Sequence, residues 1–135
     1  MTYRKPKVIV TRKLPDIIET RMMELFDCEL NLVDEAFTRE QLLDAVSRAE
    51  ILVPTVTDKI DKDVLDAAGE NLKMIASFGT GVDHIDFAIA RKRGIVVTNT
   101  PDVLTEDTAD MTMALILSVP RRLVEGEQLV REGKW

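Results

Sequence analysis

Residues 73–98 read KMIASFGTGVDHIDFAIARKRGIVVT, and the fold class can be worked out from this stretch. The segment 73–77, which is apolar at its centre, predicts a short strand, and the β-branched segment 95–98 predicts another. Between them, Asp86 can cap a helix that ends at Gly94. A strand, a helix and a second strand in immediate succession indicate a β-α-β unit, whose two strands run parallel.

The same alternation of strands and helices extends toward the N-terminus. Further strands are predicted at 7–11, 29–33 and 51–53, and further helices at 15–26, 38–49 and 61–69. The helix 15–26 has a broad apolar face that includes Ile17, and Thr38 and Asp61 are the predicted caps of the other two helices. Five strands separated by helices predict an α/β domain with a flavodoxin-like open parallel sheet, strand order 2-1-3-4-5, and helices on both faces. Ligands of such sheets bind beyond the carboxyl ends of the strands.

The last third of the chain departs from this alternation. A helix is predicted from a cap at Thr105 or Asp107 to Val119, where Pro120 interrupts it, and a more amphipathic helix follows over 123–130. The first of these helices is apolar on nearly every side, which is typical of a helix that is buried all round. We therefore expect it to pack against a second domain or a partner subunit. The alternative is an ordinary C-terminal helix that lies across the sheet.

Composition excludes several classes of protein. With 45% hydrophobic residues the chain is not disordered, and its formal charge of −6 argues against a nucleic-acid partner. Its longest apolar run is too short to span a membrane. Residues 1–7 have no apolar stretch of the kind that signal peptides contain, and Cys28 is the only cysteine. We therefore expect a cytoplasmic location and no membrane association.

The segment SFGTGVDH at 77–84 is the best candidate for a site, because it follows a predicted strand and precedes a predicted helix. Glycines on both sides of Thr80 allow a sharp turn with exposed N–H groups. Successive amides of this kind bind anions such as carboxylate or phosphate. The alternative is a tight turn that binds nothing.

The sequence gives less support for other kinds of functional site. A dinucleotide fingerprint would need its third glycine at the position of His84, so the motif is absent. A phosphate-receiver domain would need carboxylates after the first and third strands, where Thr11-Arg12 and Pro54-Thr55 stand. His84 is more simply a residue of the turn than an acid or base, and no metal site is predicted.

At this point the chain resembles a known family. The motifs that carry the likeness are FGTGVDHID at 78–86, KRGIVVTNTPDVLT at 92–105, TAD at 108–110 and VREGKW at 130–135. They resemble the D-isomer-specific 2-hydroxyacid dehydrogenases, especially the glyoxylate/hydroxypyruvate reductase branch. One departure is Asp110, where the family commonly has Glu.

The resemblance implies two domains. Residues 1–99 would be a flavodoxin-like substrate domain, and residues 100–135 would be the crossover and first helices of a Rossmann cofactor domain. The nucleotide fingerprint and the family's catalytic Arg, Glu and His would lie beyond Trp135. The chain would then be an N-terminal fragment that has no catalytic residue of its own and is inactive alone.

The resemblance also assigns roles to individual residues. The backbone amides of Thr80 and Gly81 would hold the substrate carboxylate. A nearby wall of the substrate pocket would consist of Val53, Pro54 and Thr55. Thr108 would lie close to the nicotinamide of the cofactor or to its phosphates.

The implied reaction is reversible hydride transfer between NAD or NADP and a small 2-oxo acid, which yields a D-2-hydroxy acid. Glyoxylate or hydroxypyruvate is the expected substrate, and a homodimer is the expected assembly. Two alternatives stay open: the 3-phosphoglycerate dehydrogenase branch, and a non-catalytic binding or corepressor-type module on the same scaffold.

Overall fold

The computed structural model describes residues 4–135, so part of the signal-peptide prediction lies outside the described residues. The chain forms two compact units that divide after Pro101. The first unit contains the strands β1 (Lys7–Val10), β2 (Asp27–Glu29), β3 (Ile51–Val53), β4 (Met74–Ala76) and β5 (Val96–Thr98). Its helices are α1 (Asp16–Leu25), α2 (Arg39–Arg48), α3 (Lys62–Asp66) and α4 (Phe87–Lys92).

The five strands form one parallel sheet in the order β2-β1-β3-β4-β5, which confirms the predicted topology. Ile9 pairs with Leu52, Leu52 pairs with Ile75, and Ile75 pairs with Val97. This register places the carboxyl ends of β3 and β4 side by side. The loops that follow these two strands are therefore neighbours.

The core has two parts, one on each face of the sheet, because successive strand residues point to opposite faces. On one face Ile9, Leu52 and Ile75 are fully buried with apolar residues of α2, α3 and α4. On the other face a smaller cluster contains Val10 and Val53, with Met22, Phe26 and other half-buried residues packed against it. Apolar packing on both faces of the sheet therefore stabilises the fold.

Helix caps follow the predictions. Thr38 forms a capping box with Gln41 at the start of α2. Asp61 caps α3, and Asp86 caps α4 by accepting a hydrogen bond of 3.1 Å from the N–H of Ile89. Gly94 has a φ of +71° just after α4, a conformation that glycine adopts without strain.

The predicted position of the second strand was wrong. β2 ends at Glu29 rather than extending over 29–33, because the side chain of Asn31 closes a local loop. Its amide nitrogen donates to the carbonyl oxygens of Thr11 and Glu35, each at 2.7 Å, and its carbonyl oxygen accepts from the N–H of Asp34. Side chains of this kind compete with strand pairing.

The broad apolar face predicted for the first helix is only partly buried. Ile17 is 78% exposed, whereas Glu19 is the buried residue of α1. The carboxylate of Glu19 accepts a hydrogen bond of 2.8 Å from the N–H of Leu14. A polar group thus fixes the start of this helix where an apolar contact was expected.

The second unit contains α5 (Thr105–Ser118) and α6 (Leu123–Arg131). The predicted caps of α5 were wrong, because Leu104 occupies the cap position and makes no side-chain hydrogen bond there. No residue of either helix is buried, although α5 is largely apolar. Among residues 4–135, no helix has the length and apolarity that a membrane span requires. The assignment of 100–135 to a cofactor domain stays a prediction.

Candidate functional site

The candidate site is the loop 78–84, which follows β4 at the carboxyl edge of the sheet. Its first residue extends the pairing of the strands: Phe78 forms an isolated parallel bridge with Thr55, and its N–H donates to the carbonyl of Pro54 at 2.8 Å. The loop that follows β3 therefore supports the start of the candidate site, at the edge where open α/β sheets bind ligands.

The two glycines of the loop have different surroundings. A Cβ atom at Gly79 would lie 2.5 Å from Cγ1 of Val56, so the glycine allows a close approach between the two loops, and a larger residue would displace the side chain of Val56. A Cβ atom at Gly81 would meet no heavy atom within 4 Å. Neither residue has a positive φ. Gly79 therefore lets the two loops lie close together, whereas Gly81 has open space beside its backbone.

The backbone of the loop is oriented through its carbonyl groups. Asn99 donates from Nδ2 to the carbonyl of Thr80 at 2.7 Å, and the N–H of Thr100 donates to the carbonyl of Gly79 at 3.0 Å. Within the described part of the first unit, the N–H groups of Thr80 and Gly81 donate to no acceptor. Two neighbouring free donors on a held loop suit an anion.

The side chain of Thr80 contains a buried hydroxyl oxygen that has no hydrogen-bond partner among the described residues. A buried polar group without a partner lowers stability, because it has lost its water. The resemblance gives a role only to the backbone of this residue, so its hydroxyl is a separate feature of the site.

Replacing this hydroxyl is expected to be favourable. Thr80→Val keeps the shape of the side chain and should raise the free energy of unfolding by about 1 kcal/mol, which urea denaturation measures. Thr55→Val is the matched control and should be destabilising, because the hydroxyl of Thr55 lies 3.0 Å from that of Thr57. A loss of stability in Thr80→Val would instead reveal a partner for the hydroxyl.

The three residues predicted as a pocket wall occupy the end of β3 and the turn after it. The side chains of Val53 and Pro54 are buried, so they support the loop from within the unit. Thr55 is half-buried and lies beside Phe78. The structure thus places Thr55 next to the loop that contains Thr80 and Gly81. Their contact with substrate stays a prediction.

His84 lies at the far end of the loop and is half-buried. Its Nε2 atom is 3.2 Å from the hydroxyl of Ser77, and its carbonyl accepts from the N–H of Ile60 at 2.8 Å. Burial lowers the pKa of His84 below its ordinary value, although the charges of Asp58 and Asp83 oppose this shift. These contacts indicate that His84 fixes the turn.

Sequence reasoning missed Asp58, which is 5% exposed and lies beneath the turn after β3. Its Oδ2 atom accepts hydrogen bonds from the hydroxyl of Thr11 at 2.5 Å and from the N–H of Thr55 at 2.8 Å. The spacing from Thr55 to Asp58 is that of a capping box, in which an acidic side chain accepts from the N–H three residues earlier, and it could have drawn attention to this carboxylate.

Thr108 lies in the first turn of α5, in the second unit. Its N–H donates to the carbonyl of Leu104 at 2.9 Å, and its carbonyl accepts from the hydroxyl of Thr112 at 2.8 Å. Its side chain and that of Asp110 are exposed. The predicted cofactor contact of Thr108 stays a prediction. In the part of the chain that the structure describes, no group of His, Cys, Asp or Glu side chains is arranged for a metal ion.

Comparison with known proteins gives a consistent result. The family model for the D-isomer specific 2-hydroxyacid dehydrogenase catalytic domain matches residues 8–126. Glyoxylate reductase from Thermococcus litoralis is 46% identical over 131 residues, which are 97% of this chain and 39% of that protein. The chain therefore spans about two fifths of the length of the curated relatives it matches.

Solved structures show the same likeness. A protein from Thermus thermophilus is 48% identical with a TM-score of 0.80, over 96% of this chain and 41% of that one. The NADPH-dependent glyoxylate/hydroxypyruvate reductase from Sinorhizobium meliloti, solved in complex with NADP and malonate, is 33% identical with a TM-score of 0.72. That match covers 97% of this chain and 39% of the reductase.

Proposed function

The chain belongs to the family of D-isomer specific 2-hydroxyacid dehydrogenases, and we therefore propose that it is the substrate-binding part of an NAD(P)-dependent oxidoreductase. The proposed enzyme reduces a small 2-oxo acid to the D-2-hydroxy acid. Glyoxylate and hydroxypyruvate are the proposed substrates, since the relative from Thermococcus litoralis is a glyoxylate reductase and the relative from Sinorhizobium meliloti is a glyoxylate/hydroxypyruvate reductase.

One observation carries this proposal. The N–H groups of Thr80 and Gly81 are free at the carboxyl edge of the sheet, within the described residues, on a loop whose carbonyls are held by Asn99 and Thr100. Hydrogen bonds to a charged acceptor are stronger than those between neutral groups. Two such donors would bind one carboxylate and fix the direction in which the rest of the 2-oxo acid extends.

In this proposal the residues of the chain bind and orient the substrate. Thr80 and Gly81 hold the carboxylate, and Thr55 lines the adjoining wall, with Val53 and Pro54 beneath it. A carboxylate fixed at one end limits the positions of the neighbouring 2-oxo group, which is how binding favours a reaction geometry. We propose no acid, base or nucleophile among residues 4–135.

The loop 78–84 does not fit a dinucleotide. The loop after β4 has His84 where the third glycine of the fingerprint would stand, and Ile60 and Ile85 flank that position as an isolated bridge. The cofactor, NAD or NADP, is therefore proposed only for the whole enzyme, with Thr108 as a neighbouring residue. When bound, it would supply or accept the hydride.

The experiment that tests this function starts from the reading frame downstream of Trp135. If that frame encodes a strand followed by G-x-G-x-x-G and later Arg, Glu and His, the whole protein is purified and assayed with NADH and NADPH. We expect oxidation of the cofactor with glyoxylate or hydroxypyruvate. Turnover of 3-phosphoglycerate alone would move the protein to that branch, and binding of peptides that depends on NADH without turnover would favour a corepressor-type module.

We also propose that the protein is a cytoplasmic homodimer. Support for the dimer comes from α5, where Met111, Leu115 and Leu117 are each more than half exposed. Apolar surface of this kind is typical of association sites. We expect light scattering to detect dimers or larger species, and a clean monomer at high concentration would contradict this assembly.

A further inference from the structure

A buried carboxylate lies beneath the turn that follows β3. Asp58 is 5% exposed, and its Oδ2 atom accepts three hydrogen bonds. The donors are the hydroxyl of Thr11 at 2.5 Å, the N–H of Thr55 at 2.8 Å and the hydroxyl of Thr55 at 3.4 Å. Within the described residues Asp58 has no ion-pair partner, so these neutral donors compensate for its lost hydration.

These bonds connect the turn after β3 to the end of β1. The N–H of Asp58 donates to the carbonyl of Thr55 at 3.1 Å and closes the turn 55–58. Thr11, at the end of β1, is fully buried and also donates its N–H to the carbonyl of Val53 at 3.1 Å. Asp58 therefore fixes the turn after β3 against the end of β1.

The fixed turn supports the loop 78–84 at three points. At the start of the loop, Thr55 bridges to Phe78. In the middle, Val56 packs closely on Gly79, and a Cβ atom at Gly79 would lie 2.5 Å from Cγ1 of Val56. At the end, the N–H of Ile60 donates to the carbonyl of His84 at 2.8 Å. The position of Thr80 and Gly81 therefore depends on the turn that Asp58 closes.

From this geometry we propose that Asp58 is a positioning residue for the carboxylate-binding loop, acting through Thr55 and Val56. The inference rests on the proposed function, because it assumes that Thr80 and Gly81 bind a carboxylate. The charge of Asp58 opposes the binding of an anion nearby, so its contribution comes from its hydrogen bonds and not from its charge. An uncharged side chain with the same acceptor should therefore preserve the site.

The test uses the chain of 135 residues, with malonate as the probe and the amide resonances of Thr80 and Gly81 as the readout. In the unmodified chain, malonate should shift both resonances. Asp58→Ala should raise the Kd for malonate about tenfold, the loss expected from about one hydrogen bond to a charged group. Asp58→Asn keeps an acceptor oxygen and should restore binding to within about threefold of the original.

Asp61→Ala is the matched control, since it removes a carboxylate from the other end of the same loop. Asp61 caps α3 and pairs with Arg39 at 2.7 Å, so its loss should lower stability and leave the Kd for malonate unchanged. If Asp58→Ala does not fold, Thr11→Val decides the question. It removes the 2.5 Å bond to Asp58. This variant should raise the Kd at least about threefold.

The outcomes separate the two proposals. If malonate leaves the amides of Thr80 and Gly81 unshifted in the unmodified chain, the proposed carboxylate site is wrong. If it shifts them, but Asp58→Ala, or Thr11→Val where the alanine variant does not fold, binds malonate as the unmodified chain does, only the positioning role is overturned. Weak binding by both Asp58→Ala and Asp58→Asn would also overturn it, because positioning by hydrogen bonds predicts recovery with asparagine.

Discussion

Gly81→Pro is expected to abolish most of the affinity of the chain for a carboxylate. Proline has no N–H, so the substitution removes one of the two free donors of the loop. A hydrogen bond to a charged group contributes about 1.5–3 kcal/mol, which corresponds to a loss of about 10-fold to 140-fold in affinity. Calorimetric titration with malonate measures this loss directly.

Gly81→Ala is the matched control for this experiment. Alanine keeps the N–H, the φ of Gly81 is not positive, and a Cβ atom there meets no heavy atom within 4 Å. We expect its affinity for malonate to lie within about twofold of the original, since no donor is lost. Equal affinity in the proline and alanine variants would show that the amide of Gly81 takes no part in binding. Circular dichroism of each variant separates loss of the site from loss of the fold.

Gly69→Ala is expected to destabilise the first unit by about 2–3 kcal/mol. A Cβ atom at this position would overlap the carbonyl oxygen of Ser47 and lie 3.2 Å from its carbonyl carbon. The backbone has little freedom to move away, because the N–H of Gly69 donates to the carbonyl of Val46 at 3.1 Å. The added methyl group would therefore disturb the packing between α2 and α3.

Urea denaturation measures the change in the free energy of unfolding at Gly69. Gly81→Ala again serves as the control, because it adds the same methyl group to the same unit in open space. We expect the control to differ from the original chain by less than about 0.5 kcal/mol, the usual range for surface substitutions. Equal stabilities of the two alanine variants would contradict the tight approach of Gly69 to Ser47.

Much of the fold could be predicted from local patterns. The strand order β2-β1-β3-β4-β5 follows from β-branched segments that alternate with helices, because parallel strands require crossover connections of one hand. The caps at Thr38, Asp61 and Asp86 could be read directly, since a cap depends on residues within one turn.

Predictions from the apolar pattern of a segment were wrong where a single polar side chain forms hydrogen bonds that the pattern does not reveal. The segment 29–33 has a strand-like pattern, yet the side chain of Asn31 reaches back to Thr11 and ends β2 early. Likewise, Glu19 is the buried residue of α1, because its carboxylate accepts a hydrogen bond from the N–H of Leu14. The apolar pattern of each segment does not indicate which backbone groups these side chains bind.

The candidate site divides in the same way. Local sequence was enough to predict the loop 77–84, its position at the carboxyl edge of the sheet and its likeness to a dehydrogenase family, since motif and periodicity are local properties of the chain. Three contacts are visible only in the folded structure: Val56 packs closely on Gly79, Asn99 donates to the carbonyl of Thr80, and Asp58 joins β1 to the turn beneath the loop. Each of these contacts joins residues at least 19 positions apart, and only folding brings them within reach.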